Sequence, residues 1–237
     1  ENLMKRGVLN PPEPRSFILF LLTIAVLLPI FQLRSSEIAI SFGINPSILL
    51  LTLLAALLGS LIEIPIIREY KTRKPMYTNG EAKILESLYH VPVGGELKTG
   101  GERTYLSSIT LNGGLLILLI LSAHLVVTLK PQLQLAFALI ASLTLILTHT
   151  LSKIVSGIGV TIPAYVAVFP AALSLILSGE LYAPVVAMTS GVIGISGGAL
   201  TTLLSLKREK QGSAMFSIGG AGSFVPIYLT VLISIML

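Results

Sequence analysis

The sequence predicts an all-α polytopic transmembrane bundle of about seven spans, N-terminus inside and C-terminus outside, with a small cytoplasmic hairpin segment between spans 2 and 3. Three observations predict it. The chain is 53% hydrophobic and 11% charged over 237 residues, whereas a soluble domain carries about a quarter charged residues and covers itself with them. The apolar residues fall in runs near the ~20 residues that a helix needs to cross a bilayer. Once those runs are threaded through a membrane, 14 of the 16 Lys and Arg fall on one side, the asymmetry that orients membrane proteins.

Taken in order, the first run covers residues 17–33. Lys5 and Arg6 precede it and no small-residue cleavage site closes it, so it reads as a span rather than a signal peptide. The second, 48–67, opens after Asn45-Pro46, an ordinary turn. A polar segment, 68–108, follows. Within it 82–89 has the pattern of a short helix, and the stretch from Tyr89 to Tyr105, with its Gly-rich turns, reads as a hairpin. This segment is too poor in apolar residues to fold alone. The chain, 1–237, therefore reads as a single transmembrane domain, with 66–108 as a cytoplasmic insert capping the bundle. The remaining spans are 109–129, 133–151, 160–177, 185–206 and 214–237.

Composition removes several chemistries. Cysteine is absent, which excludes disulfides, thiolate nucleophiles and Cys-based metal sites. The eleven acids are all Glu. Glu63, His90 and His149 lack metal-ligand spacing, and neither a metal nor another cofactor is expected. The net charge of +5 sits between apolar runs, where orientation explains it, so no nucleic-acid partner is implied. The expected partner is the lipid bilayer, with a small solute or an ion as the candidate ligand.

The polar and helix-breaking residues gather toward the cytoplasmic ends of the spans. Glu63 lies near the end of span 2, Asn112-Gly113-Gly114 at the start of span 3, and Gly157 to Pro163, with Thr161, at the start of span 5. Thr201 and Thr202 lie near the end of span 6. Ser217, Gly219, Gly220 and Gly222 open span 7, followed by Pro226. Each Gly is unfavourable in a helix interior by roughly 1 kcal/mol relative to Ala, so this opening asks for a broken helix or a close backbone approach.

Two readings stand beside each feature. Glu63 is the one acid placed inside a span, a functional candidate by default, or else an interfacial carboxylate paired with Arg68 or Lys153. Asn112 binds a ligand or holds two helices together at a close crossing. The spacing of Gly191, Gly194, Gly197 and Gly198 is that of helix packing. Gly219-Gly220-Ala221-Gly222 is read as the end of a broken half-helix or a tight crossing. It is not read as a nucleotide loop, because no strand is expected before it. Gly194-Ile195-Ser196-Gly197 matches a short intramembrane serine-peptidase motif, but the three His all precede Ser196, where such enzymes place the base later. Lys153 and Ser156 offer a Ser–Lys pair, but both lie in a short loop in which solvation is the default. No complete catalytic constellation is present.

The chain resembles the archaeal and bacterial multi-pass membrane proteins of the family called domain of unknown function sixteen-fourteen. The matching pieces are Gly59-Ser60-Leu61-Ile62-Glu63-Ile64-Pro65, Tyr89-His90-Val91-Pro92, Asn112-x-Gly114, Gly157-x-Gly159-Val160-x-Ile162-Pro163, Thr202-Leu203-Leu204-Ser205-Leu206 and Ser217-Ile218-Gly219-Gly220-Ala221-Gly222-Ser223-Phe224. The resemblance implies a prokaryotic plasma membrane and carries no established activity. The family pattern places Asn at position 63 and Asp at 202 and 225, the latter two loosely similar to presenilin-type aspartyl peptidases. This chain has Glu63, Thr202 and Val225, and no carboxylate dyad can be made from Thr and Val. Two functions are therefore expected. The first is a transporter or solute-binding protein with a polar pocket on the cytoplasmic side, lined by Glu63, Asn112, Thr161, Thr202, Ser217, Gly219, Gly220 and Gly222. The second is a non-catalytic relative of an aspartyl-peptidase-like fold that acts as a binding or scaffold protein.

Overall fold

The computed structural model describes residues 14–73, 78–89, 104–155, 159–205, 215–220 and 222–237. Helix α1, Pro14–Leu33, runs to Arg34, where the chain turns by 86° into the short α2, Ser35–Phe42. Gly43, at φ 64°, ends α2 in the left-handed conformation, and its N–H donates to the Ala39 carbonyl. Helix α3, Pro46–Gly59, starts on Asn45, whose side chain accepts from Ser47 N, with Pro46 in the first turn. That pairing of an Asn cap with an early Pro is a strong helix start.

After α3 the chain departs from continuous helix. Strand β1, Glu63–Arg73, and strand β2, Thr104–Asn112, bracket helix α4, Asn79–Tyr89. They pair antiparallel with Glu63 opposite Asn112. Helix α5, Gly113–Thr128, leaves β2 without a linker, and helix α6, Pro131–Leu151, follows on the far side of a short turn. A two-stranded ribbon of β3, Lys153–Val155, and β4, Gly159–Thr161, leads through a 3-10 turn, Ala164–Ala167, into α7, Val168–Leu204. Strand β5, Met215–Ile218, and helix α8, Phe224–Met236, complete the order.

Helix α7 is two arms. Gly179, at φ 71° and ψ 161°, is non-helical. A Cβ built on Gly191 would lie 3.0 Å from Pro170 Cγ, although 21 residues of straight helix would hold the two about 30 Å apart. The arms, 168–178 and 180–204, therefore fold back on each other at Gly179.

The second arm packs its small residues on α6. A Cβ on Gly194 would meet Thr144 Cβ at 2.7 Å, and one on Gly198 would meet Thr148 Cβ at 2.5 Å and the Leu145 carbonyl at 2.8 Å. The glycine spacing thus serves a close helix crossing, as the sequence suggested. Leu49, Leu53, Leu115, Leu118, Met188, Ile195 and Ile227 lie in the core between the helices.

At one end of α3, α5 and α8 sits a three-stranded sheet in the order β1-β2-β5, with β5 parallel to β2 and Thr110 opposite Ser217. At the other end, Arg34 closes the bundle. Its guanidinium donates to Glu37 Oε2 at 2.6 Å and to the Met236 and Leu237 carbonyls at 2.7 and 3.2 Å. It thereby supplies donors and positive charge to the carbonyls that end α8.

Among the described residues two helices are long and apolar enough to cross a membrane, Pro131–Leu151 and the folded-back stretch Ala164–Leu204. They become three if the bent pair α1–α2 counts as one. Helices α3, α5 and α8 are apolar but shorter.

Several expected boundaries are corrected. The architecture is mostly helical, not all-α. The run 48–67 stops being helix at Gly59, the run 109–129 begins it at Gly113, and the run 214–237 begins it at Phe224. The run 160–177 starts in β4 and a 3-10 turn. In each case an apolar stretch continues from helix into strand, and hydropathy alone does not separate the two. The expected helix at 82–89 is found as α4. The hairpin expected between Tyr89 and Tyr105 falls largely on 90–103, outside the described residues.

Candidate functional site

The site is built by strand register. In an antiparallel or parallel pair, residues opposite each other share a face, and the face alternates along each strand. Glu63 faces Asn112, Thr110 lies two residues before Asn112, and Ser217 faces Thr110. One face of the sheet therefore reads Glu63, Thr110, Asn112 and Ser217. The other reads Ile64, Leu111, Ile109, Phe216 and Ile218. The polar face is covered: Glu63 is 2% exposed, and the other three are buried as well, while on the opposite face Phe216 and Ile218 are buried and Ile64 is exposed.

All three neighbours donate to the Glu63 carboxylate. Thr110 Oγ1 and Ser217 Oγ both donate to Oε2, at 2.8 and 2.6 Å, and Asn112 Nδ2 donates to Oε1 at 3.2 Å. Asn112 has its full complement of partners. Its Nδ2 also reaches the Ser60 carbonyl at 2.8 Å, while its Oδ1 accepts from Gly114 N and Leu115 N and so caps α5. One side chain thus ties the end of α3, the start of β1 and the start of α5 together. Glycines make this approach possible: a Cβ on Gly114 would overlap the Ala56 carbonyl, and one on Gly113 would lie 2.8 Å from the Gly59 carbonyl.

The Gly-rich turn closes over the carboxylate. A Cβ on Gly220 would overlap Ser217 Oγ and lie 2.5 Å from Glu63 Oε1. Gly219 and Gly222 take φ of 76° and 86°, the left-handed region that glycine alone enters readily. Ser223 fixes the turn by accepting from Gly219 N at 3.0 Å, and the Ser223 and Phe224 amides return to the Gly220 carbonyl. On its far side the turn holds β4, with Ile162 N donating to the Gly222 carbonyl at 2.9 Å.

Of the eight candidates, the structure brings Glu63, Asn112, Ser217 and Gly220 into contact, with Gly219 and Gly222 shaping the turn above them. Thr161 touches that turn from outside: its Oγ1 donates to the Lys153 carbonyl, and its methyl group lies where a Gly222 Cβ would meet it at 2.9 Å. Thr202 stands elsewhere, on α7, with its hydroxyl on the Gly198 carbonyl and 3.2 Å from His149 Nδ1. Val225, 63% exposed on the first turn of α8, faces outward. Ser196 returns its hydroxyl to Val192 within its own helix.

One expectation about this region changes. The Gly-rich turn does follow a strand, β5, and joins it to α8, so it is neither an unwound helix nor a helix crossing. Gly157 and Ser156, named from the sequence, lie outside the described residues. Thr110 is the partner the sequence reading missed. The alternation Ile109-Thr110-Leu111-Asn112 carried the signal, in a run short enough to pass for the head of a helix.

A family model described as a protein of unknown function, DUF1614, matches residues 57–237, more than half of the chain. The chain belongs to the DUF1614 family. The match begins in the last turn of α3, so every DUF1614 residue around Glu63 and the whole turn above it lie inside the family region, while α1 and α2 lie before it. No curated protein and no solved structure matches the chain.

Proposed function

We propose that this DUF1614 protein is a multi-pass membrane protein of a prokaryotic plasma membrane that binds and moves a small solute or ion, with Glu63 as the charge-bearing group of its site. One observation carries the reading. A carboxylate 2% exposed is held by two hydroxyls and an amide, and among the described residues no Lys or Arg pairs with it. Removing a carboxylate from water is costly unless it is paired, and an ionisable group inside a membrane bundle marks an ion or substrate path by default. A group in that position has a use for a cation, whether a proton or a metal ion. The hydroxyls of Thr110 and Ser217 suit the task, since each can donate to the carboxylate or turn its lone pairs to an incoming cation.

In this proposal the chain makes seven crossings, by α1, α3, α5, α6, the two arms of α7, and α8. The reversal at Gly179 supplies the even-numbered return that a single long helix would lack. The charge asymmetry then favours a cytoplasmic N-terminus, with the sheet and Glu63 on the cytoplasmic side and Arg34 with the end of α8 on the other.

The test is flux in proteoliposomes holding a pH-reporting dye, challenged in turn with sodium, amino acids, carboxylates and sugars. The reading expects at least one of these to evoke a flux above protein-free vesicles, and Glu63→Gln to abolish it. An evoked flux unchanged in a folded Glu63→Gln protein removes Glu63 from the role.

A further inference from the structure

We infer that the opening of β1 lies at hydrocarbon depth, with Ile62, Ile64 and Ile66 facing the acyl chains of the bilayer; this rests on the membrane reading above. Helix length is the first reason. Helices α3, α5 and α8 have 14, 16 and 13 residues. At ~1.5 Å per residue they are about 21, 24 and 20 Å long, against a hydrocarbon core of about 30 Å. Each is short by roughly 6–10 Å, the length of two or three strand residues at ~3.3 Å each. All three meet the same sheet at the same end: α3 runs into β1, β2 runs into α5, and β5 leads through the Gly-rich turn into α8. The ends of the strands are therefore what completes these crossings.

The pattern of exposure on β1 is the second reason, and it is independent of length. On a sheet with one face in water, polar residues point out and apolar residues point in. On β1, at the edge of this sheet, the order is inverted. Glu63 points in, while Ile64 and Ile66 are 38% and 58% exposed and Ile62 is exposed with them. These three continue the exposed apolar residues of α3, Leu51 and Leu58, onto the strand. Exposed apolar residues on an apolar helix and on the inverted strand that follows it fit hydrocarbon and not water.

Backbone hydrogen bonding decides whether such a strand can lie there, since unpaired groups at a sheet edge are costly in lipid. Gly113 N donates to the Ile62 carbonyl at 2.8 Å, and Ile64 lies opposite Leu111, so Ile62 and Ile64 turn their backbone groups toward β2. Glu63 and Pro65 turn theirs toward the free edge, and proline has no N–H to leave unpaired there. The segment that must tolerate lipid thus exposes one edge donor instead of two.

The chain has no cysteine, so single-cysteine variants of the full protein can carry an environment-sensitive fluorophore. The sites are Ile64→Cys and Ile66→Cys on β1, Leu139→Cys in the middle of α6, and Lys83→Cys on α4. Each labelled protein, checked for wild-type elution, is placed in phosphatidylcholine vesicles and exposed to nitroxide-bearing lipid or to aqueous iodide. The inference expects the two β1 labels to lose fluorescence to the nitroxide lipid to the same degree as Leu139→Cys and to resist iodide, with Lys83→Cys behaving oppositely. If the β1 labels follow Lys83→Cys while Leu139→Cys is quenched by lipid, the sheet stands outside the bilayer and the inference fails while the membrane reading survives. If Leu139→Cys is not quenched by lipid either, both fail.

Discussion

Ser217 and Glu63, 154 residues apart in sequence, meet at 2.6 Å on the covered face of the sheet. Thr110 reaches the same carboxylate oxygen from the central strand. A buried carboxylate that loses one donor is left short of a partner, which costs about 1–3 kcal/mol. Ser217→Ala and Thr110→Val are each expected to lower unfolding stability by that order. Because both donors serve one atom, the double variant should depart from the sum of the singles by roughly 0.5 kcal/mol or more. Chemical unfolding of the four proteins measures this, and strict additivity would count against a shared site.

Gly220 is the position where the turn touches the carboxylate. Gly220→Ala forces a methyl group into Ser217 Oγ and Glu63 Oε1, and overpacking of this kind costs about 1–3 kcal/mol. Gly80→Ala is the control, since nothing lies within 4 Å of its Cβ and it sits in a helix. That change should be neutral or stabilising by up to about 1 kcal/mol. The melting point should therefore fall in Gly220→Ala and hold or rise in Gly80→Ala.

The crossing of α6 with the second arm of α7 depends on glycine. Gly198→Leu places a side chain where a Cβ alone meets the Leu145 carbonyl at 2.8 Å, a backbone atom that cannot swing aside. Loss of folded protein, or a melting point well below that of wild type, is expected. Gly197→Ala meets only the end of a flexible Leu145 side chain at 2.9 Å and should be tolerated much better.

Helix α4 begins with a capping box. Thr78 N and its hydroxyl donate to Glu81 Oε2 at 2.8 and 2.7 Å, and Glu81 N returns to Thr78 Oγ1 at 3.3 Å. The backbone hydrogen bond from Thr78, then its hydroxyl, hold the Glu81 carboxyl below the usual Glu range. A carboxyl depressed in the folded state stabilises it above the unfolded pKa, and that contribution is lost as pH falls through the folded pKa. Hydrogen exchange of the α4 amides should speed up on acidification relative to Glu81→Gln, whose amide caps without titrating.

The long apolar helices and the packing glycines were legible because hydropathy and small-residue spacing are local properties. The strands were not. Ile64-Pro65-Ile66 and Phe216-Ser217-Ile218 extend apolar runs without a break, and the switch from helix to strand is imposed by pairing across the chain. Glu63 and Asn112 were both readable as unusual residues near span ends. That they face each other follows from a register between strands some fifty residues apart, which no local pattern contains. Thr110 was hidden for the same reason, since a threonine earns notice only once its opposite neighbour is known. Thr202 shows the converse: proximity to a span end suggested a shared pocket, yet its helix carries it to His149.

The most direct measurement is ion-exchange infrared difference spectroscopy on wild type and Glu63→Gln in lipid. Exchanging sodium or protons is expected to change carboxyl bands in the wild type, and part of that change is expected to vanish in Glu63→Gln. Identical difference spectra from the two proteins would contradict this.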